Sequence, residues 1–172
     1  MENSLEIRSQ NLSMRPMVQS DWPLFSELNA RSEVIEKCFD PLPKEEVKQK
    51  FESRLGEWSV SSDKWLTLVI TETLSESPIG ITGFFVDEGV AEVGYLILPE
   101  FSGQGYGTES LYAVIEWAEK HCDLTKFRAI VTKGNVASEK VLVKCGFHLD
   151  KVEPLAYEIG GQLYDDLIYL KG

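Results

Sequence analysis

The spacing of apolar residues changes period several times along the chain. "LSMRPM" (Leu12–Met17) reads as a short strand. Ser20 and Asp21 are helix N-cap residues, Pro23 is tolerated in a first turn, and "LFSELN" continues a helix. In "PKEEVKQKFESRL", Val47, Phe51 and Leu55 recur at i, i+4, i+8, one face of a second helix whose other face is charged. "KWLTLVITET" is rich in β-branched and aromatic residues and reads as a strand. "ESPIG" marks a turn, "ITGFFV" the next strand, "DEG" (Asp87–Gly89) a hairpin turn, and "AEVGYLIL" a third strand of an antiparallel meander.

From Thr108 the period becomes helical, with Leu111, Val114, Ile115 and Ala118 on one face. "FRAIVT" (Phe127–Thr132) returns to a strand. "NVASEKVLVKCGF" is a short helix with legible ends. Asn135 is an N-cap, Gly146 suits the left-handed position past the last turn, and Phe147 can pack back on Leu142. The tail folds as a hairpin around Gly160-Gly161. The order β-α-α-β-β-β-α-β-α-β-β, with no linker or repeat, predicts one α/β domain over 1–172 with a mixed, seven-stranded sheet.

Composition narrows the function. At 172 residues and 43% hydrophobic, the chain can bury a sizeable core without staples. A formal charge of -11 argues against duplex binding, which needs clustered Lys and Arg, and mildly favours cationic substrates such as amines. Cys38, Cys122 and Cys145 are odd in number with no CxxC, so reduced thiols in a cytoplasmic protein are expected. His121 beside Cys122 lacks a second Cys/His pair, and no metal is expected. No apolar run approaches membrane length, and "MENSLEIRSQ" is not a signal peptide.

The chemistry concentrates in "LPEFSGQGYGTESL", where Gly103, Gly105 and Gly107 separate a strand from a helix. The first N–H groups of a helix have no internal partner and carry partial positive charge, so an anion, above all a phosphate, is the natural occupant. Glycine lets the backbone turn at positive φ and approach closely. GxGxG is neither a Walker A loop nor the dinucleotide GxGxxG, and a plain turn is the bland alternative.

This stretch resembles the phosphate loop of the GNAT acyltransferase family, [QR]-x-x-G-x-[GA], with Gly105 and Gly107 at the two small positions. "NVASEKVLVKCGF" is similar to the family's N-x-x-S-…-K-x-G-F in Asn135, Ser138, Lys144, Gly146 and Phe147. "MRPMVQSDWPLFSEL" and "DDLIYL" resemble the subgroup that includes ribosomal-protein N-terminal acetyltransferases. The resemblance implies a mostly antiparallel sheet split between its fourth and fifth strands, about four helices, and acetyl-CoA as co-substrate. Ser102, Gly103, Gln104, Gly105, Tyr106, Gly107 and Thr108 would bind the pyrophosphate, with Leu96 and Ile97 offering backbone hydrogen bonds to the pantetheine. Asn135 would face the cofactor or act purely as a helix cap, and a backbone N–H at Ile97 or Leu98 would steady the thioester oxygen.

Two positions depart from the pattern. Ser102 replaces the usual Arg or Gln, leaving a lysine such as Lys140 to compensate. Leu142 stands where many members carry a Tyr general acid, so Ser138 is the candidate acid, against the alternative of a first-turn helix residue. Glu92 is the candidate base, or else a salt-bridged strand residue, with Asp166 a second carboxylate. The acceptor would be a peptide N-terminus or a small amine. Neither nucleic acid nor membrane is expected as partner, and a homodimer is left open. The rival reading is a non-catalytic acyl-CoA sensor or interaction module.

Overall fold

The structure, a computed structural model, describes residues 5–172. Its strands are β1 (Ile7–Arg8), β2 (Leu12–Pro16), β3 (Leu66–Glu72), β4 (Ser77–Asp87), β5 (Val90–Ile97), β6 (Lys126–Thr132), β7 (His148–Ile159) and β8 (Gln162–Lys171). The helices are α1 (Trp22–Ala30), α2 (Ser32–Ile35), α3 (Lys44–Ser53), α4 (Tyr106–His121) and α5 (Val136–Lys144). All strands join one 8-stranded sheet in the order β1-β2-β3-β4-β5-β6-β8-β7.

The expected fold class holds, with two additions. The two-residue β1 makes the sheet eight-stranded rather than seven, and α2 is a single extra turn. Neither is long enough to leave a periodic signal. One turn also moves. "ESPIG" is already strand from Ser77 onward, because the reversal falls just before it and Glu76 takes a φ of 59°.

Three local signals fold as the residues dictate. Glu88 and Gly89, at φ 49° and 80°, close the β4–β5 hairpin, and Gly160 and Gly161, at 60° and 79°, close β7–β8. Both are two-residue turns whose twist matches that of the strands. At the end of α5, Phe147 N–H bonds Leu142 O at 2.9 Å and Gly146 N–H bonds Val143 O at 3.1 Å. With Gly146 at φ 92°, this is a Schellman closure, and Phe147 and Leu142 are both buried.

The sheet is covered on both faces. Leu111, Val114, Ile115 and Ala118 of α4 and Leu142 of α5 pack with Leu66, Leu68 and Ile70. On the other face, Phe25 and Leu28 of α1 and Val47 and Phe51 of α3 pack on Val69 and Ile81. Burial on both faces explains why β3 reads as a continuous apolar run. No helix among the described residues is long and apolar enough to cross a membrane.

The entry to α1 is fixed by charge. The Asp21 side chain accepts from both Arg15 Nη atoms at 2.8 Å and from Val18 N–H at 2.8 Å, so it ties β2 to the helix instead of capping it. Burial alone would raise the Asp21 carboxyl, but the guanidinium and the amide outweigh it and hold its pKa below the usual range. Asp21→Asn should therefore cost about 1–3 kcal/mol at pH 7, as loss of charged hydrogen bonds does. Because the folded-state pKa is lowered, that contribution is present above the unfolded pKa and fades as pH falls through the folded one. Urea unfolding of both proteins from pH 7 downward checks this, the gap closing in acid.

Candidate active site

Among the described residues β5 and β6 are the only neighbours that run parallel, and they pair only at Val90–Lys126, Ala91–Phe127 and Glu92–Arg128. Beyond Glu92 they diverge. Antiparallel alternation then decides which groups face the opening. Leu98 N–H bonds Ile79 O at 2.8 Å, so Leu98, Leu96 and Gly94 direct their backbone groups at β4. Tyr95 and Ile97 direct theirs into the split. Of the three expected donors, the Ile97 N–H faces the split, whereas Leu96 is committed to Ile81 and Leu98 to Ile79.

At the top of the split the chain enters α4. Gly103 and Gly105 sit at φ 75° and 80°, and Gly105 is the helix N-cap. The first helical bond is Glu109 N–H to Gly105 O at 3.0 Å, and from Gly103 to Thr108 no backbone N–H meets an acceptor among the described residues. A run of bare amides is rare in a folded chain and points at a ligand. The groove they border has a volume of about 450 Å³.

Its side chains are placed by packing. Ser102 Oγ donates to Pro99 O, and Lys140 and Lys144 line the groove with it. Gln104 is exposed. Tyr106 donates to Glu72 at 2.6 Å, and Glu109 accepts from Asn11 N–H and Asn11 Nδ2 at 2.8 Å. These three bonds pin the helix mouth to the sheet. Gly107 lies against α5, where an added Cβ would meet Val141 at 3.3 Å and the Tyr95 ring at 3.5 Å.

Asn135 caps α5 and also lines the opening. Its Oδ1 accepts Ser138 N–H at 3.4 Å, and its Nδ2 reaches Cys38 Sγ at 3.9 Å across the opening. Ser138 Oγ accepts from the Tyr95 hydroxyl at 3.3 Å. Tyr95 is the residue that sequence reasoning missed. Its signal was strand alternation, which places it on the same face as Val93 and Ile97. Burial raises its pKa, so the phenol keeps its proton at neutral pH. Tyr95 and Cys38 line the groove, the split, and a third cavity beneath α1 and α3.

Glu92 does not join this group. It sits at the closed end of the split, bonded by Arg128 at 3.1 and 3.3 Å, and lines none of these cavities. Its strand alternation was legible, but the partner that neutralises it comes from β6. Asp166 lines none of these cavities either, but it lies opposite Thr132, which does line the split, it has no ion-pair partner among the described residues, and burial together with nearby Glu153 raises its carboxyl.

A sheet parted at a parallel pair, with bare helix amides at the mouth and a phenol at the throat, is the architecture of a transferase fold. The particular family follows: residues 11–148 match the acetyltransferase (GNAT) domain, and the chain belongs to that family of N-acetyltransferases. Two curated relatives come from Bacillus subtilis (strain 168), and both are described as uncharacterized N-acetyltransferases. YoaA is 32% identical over 79 residues, 46% of this chain and 45% of YoaA, so the alignment spans less than half of that relative's length. YnaD is 22% identical over 96% of this chain and 95% of YnaD. The solved structure of RimL, a ribosomal L7/L12 alpha-N-protein acetyltransferase in complex with coenzyme A, superposes with a TM-score of 0.82 at 20% identity, covering 97% of each chain.

Two outcomes test the bare mouth. In the ligand-free protein, amide protons from Gly103 to Thr108 should exchange orders of magnitude faster than those of Leu111–Ala118. A Cβ at Gly105 meets nothing within 4 Å, so the cost of Gly105→Ala is conformational, about 1–2 kcal/mol for a left-handed residue, measurable by denaturation.

Proposed function

We propose that the protein transfers an acetyl group from acetyl-CoA to a primary amine by direct attack on the thioester. The observation that carries this reading is the unpartnered run of amides from Gly103 to Thr108, continuous with a split into which Ile97 turns a free N–H. In this reading the amides and Lys140 and Lys144 hold the diphosphate, and the pantetheine lies along Tyr95 and Ile97. The acceptor enters from the cavity beneath α1 and α3, which meets the split at Tyr95.

The chemistry needs a neutral amine, and an alkyl amine near pKa ~10 is protonated at pH 7. Asp166, with its raised carboxyl near the split, accepts that proton through water; Glu92, already paired with Arg128, does not. The amine lone pair then attacks the carbonyl carbon, a C–N bond forms, the C–S bond breaks, the departing sulfur takes a proton from Tyr95, and the second proton leaving the nitrogen restores the phenol. Ser138, holding the Tyr95 hydroxyl, orients it. Tyr95 thus replaces the acid missing at Leu142, reaching the same place from the strand instead of the helix.

Calorimetry with CoA, followed by release of free thiol from acetyl-CoA across a panel of amines, tests the reading. Binding should be detected, and Gly105→Val should weaken it. Tyr95→Phe should lower kcat on the order of 10²-fold, the usual scale of acid–base assistance, with KM for acetyl-CoA little changed. Asp166→Asn should lower kcat and remove the acidic limb of its pH profile, whereas Glu92→Gln should leave that limb in place.

A further inference from the structure

The cavity beneath α1 and α3, about 210 Å³, contains two cations and no anion. Lys50, in the last turn of α3, and Arg54, at its C-terminus, both line it. Among the described residues neither has a carboxylate within 4.0 Å, in a chain with 28 acidic and 17 basic residues. Both are held on aromatic rings instead. Arg54 Cζ lies 5.1 Å from the centre of Trp65 and 5.9 Å from that of Phe25, and Lys50 Nζ lies 5.0 Å from that of Phe39. Among the described residues the only side-chain hydrogen bond of Arg54 is a long one, 3.4 Å to Thr67 Oγ1, which leaves most of its five N–H donors unused there.

This arrangement costs stability as it stands. Like charges at i, i+4 repel, and burial penalises an unpaired charge. Burial lowers Arg54 to about 10, and burial with the neighbouring Arg54 charge lowers Lys50 to about 8. Asn29, 4% exposed on the same cavity wall, leaves its Oδ1 without a hydrogen-bond partner. Cation–π contacts hold the cations in place but do not neutralise them. The missing partner of the two cations is an oxyanion from outside, whereas Asn29 Oδ1 calls for a donor, and a planar guanidinium matches a carboxylate in two-point geometry.

We propose that the acceptor is a small amine that also carries a carboxylate, anchored by Arg54 and Lys50 so that its nitrogen is presented at Tyr95. This deepens the acetyl-transfer reading and rests on it for the direction of the amine. It reverses the inference from net charge. The acidic surface favours cations globally, but this cavity selects locally for a negative group.

The test uses the full chain, acetyl-CoA, and amino acids assayed in matched pairs as the free acid and the methyl ester, with spermidine as a cationic probe. Free acids should exceed their esters at least tenfold in kcat/KM. Arg54→Met and Lys50→Met should each bring the pair to within threefold, while Arg54→Lys keeps part of the preference. The bias of the assay runs against the proposal, since esters carry the less basic and more reactive amine. Equal rates, a preference for esters or spermidine, or a preference that survives both Met variants would overturn it. Calorimetry with N-acetyl amino acids in the presence of CoA reads the anchor without turnover. If no amine is acetylated, the transfer reading fails, and the anchor is judged by this binding alone. Loss of binding in Arg54→Met supports the anchor, and absence of binding to the unaltered protein overturns it.

Discussion

The mouth of α4 is the constraint around which this structure is arranged. A helix must leave its first amides unpaired, and this chain extends the gap backward through Gly103 so that nothing internal fills it. Such a segment is not held by its own hydrogen bonds. It is held from the side, by Tyr106 on Glu72, by Glu109 on the β1–β2 loop, and by the close approach of Gly107 to Val141. The buried face of α4 then fixes the direction in which the amides point, because Leu111 through Ala118 pack rigidly on the sheet.

The parting of β5 from β6 follows from the same arrangement. A parallel pair needs a crossover, and the crossover here is α4 itself. The strands are in register where Val90 to Glu92 begin and separate as they approach the helix mouth. The groups released by that separation, Tyr95 and Ile97, therefore lie nearest the bare amides. The site is a consequence of topology before any side chain is considered.

How much of this could be read beforehand depended on sequence distance. The glycine turns, the Asn135 cap and the Gly146 closure are local events, decided by φ and by hydrogen bonds spanning a few residues, and they stood in the sequence with their geometry. The face of α4 was equally plain, because the 3.6-residue period is repeated over several turns. What was not legible is pairwise and remote. Tyr95 meets Ser138 across 43 positions, Glu92 meets Arg128 across 36, and the isolation of Lys50 and Arg54 can be recognised only once every acid is placed elsewhere. Net charge is silent on this cavity for the same reason: it sums over a whole surface.

Cys38 bears on whether transfer is direct or passes through the protein. It stands where the groove, the split and the cationic cavity meet, within reach of Asn135 Nδ2, so position alone would suit an acylated intermediate. Reactivity argues the other way. A thiol attacks as thiolate, and reactive cysteines lie in surroundings that lower their pKa. Burial raises that of Cys38, and its sulfur is directed at Val34 O as a weak donor, a bond only the thiol can make. Lys50 and Arg54 on the adjoining wall do not bring it down. With the thiol protonated and the Tyr95 phenol aimed at Ser138, the groups present suit the proposed reaction, in which two substrates meet in the split and the protein contributes placement and a proton.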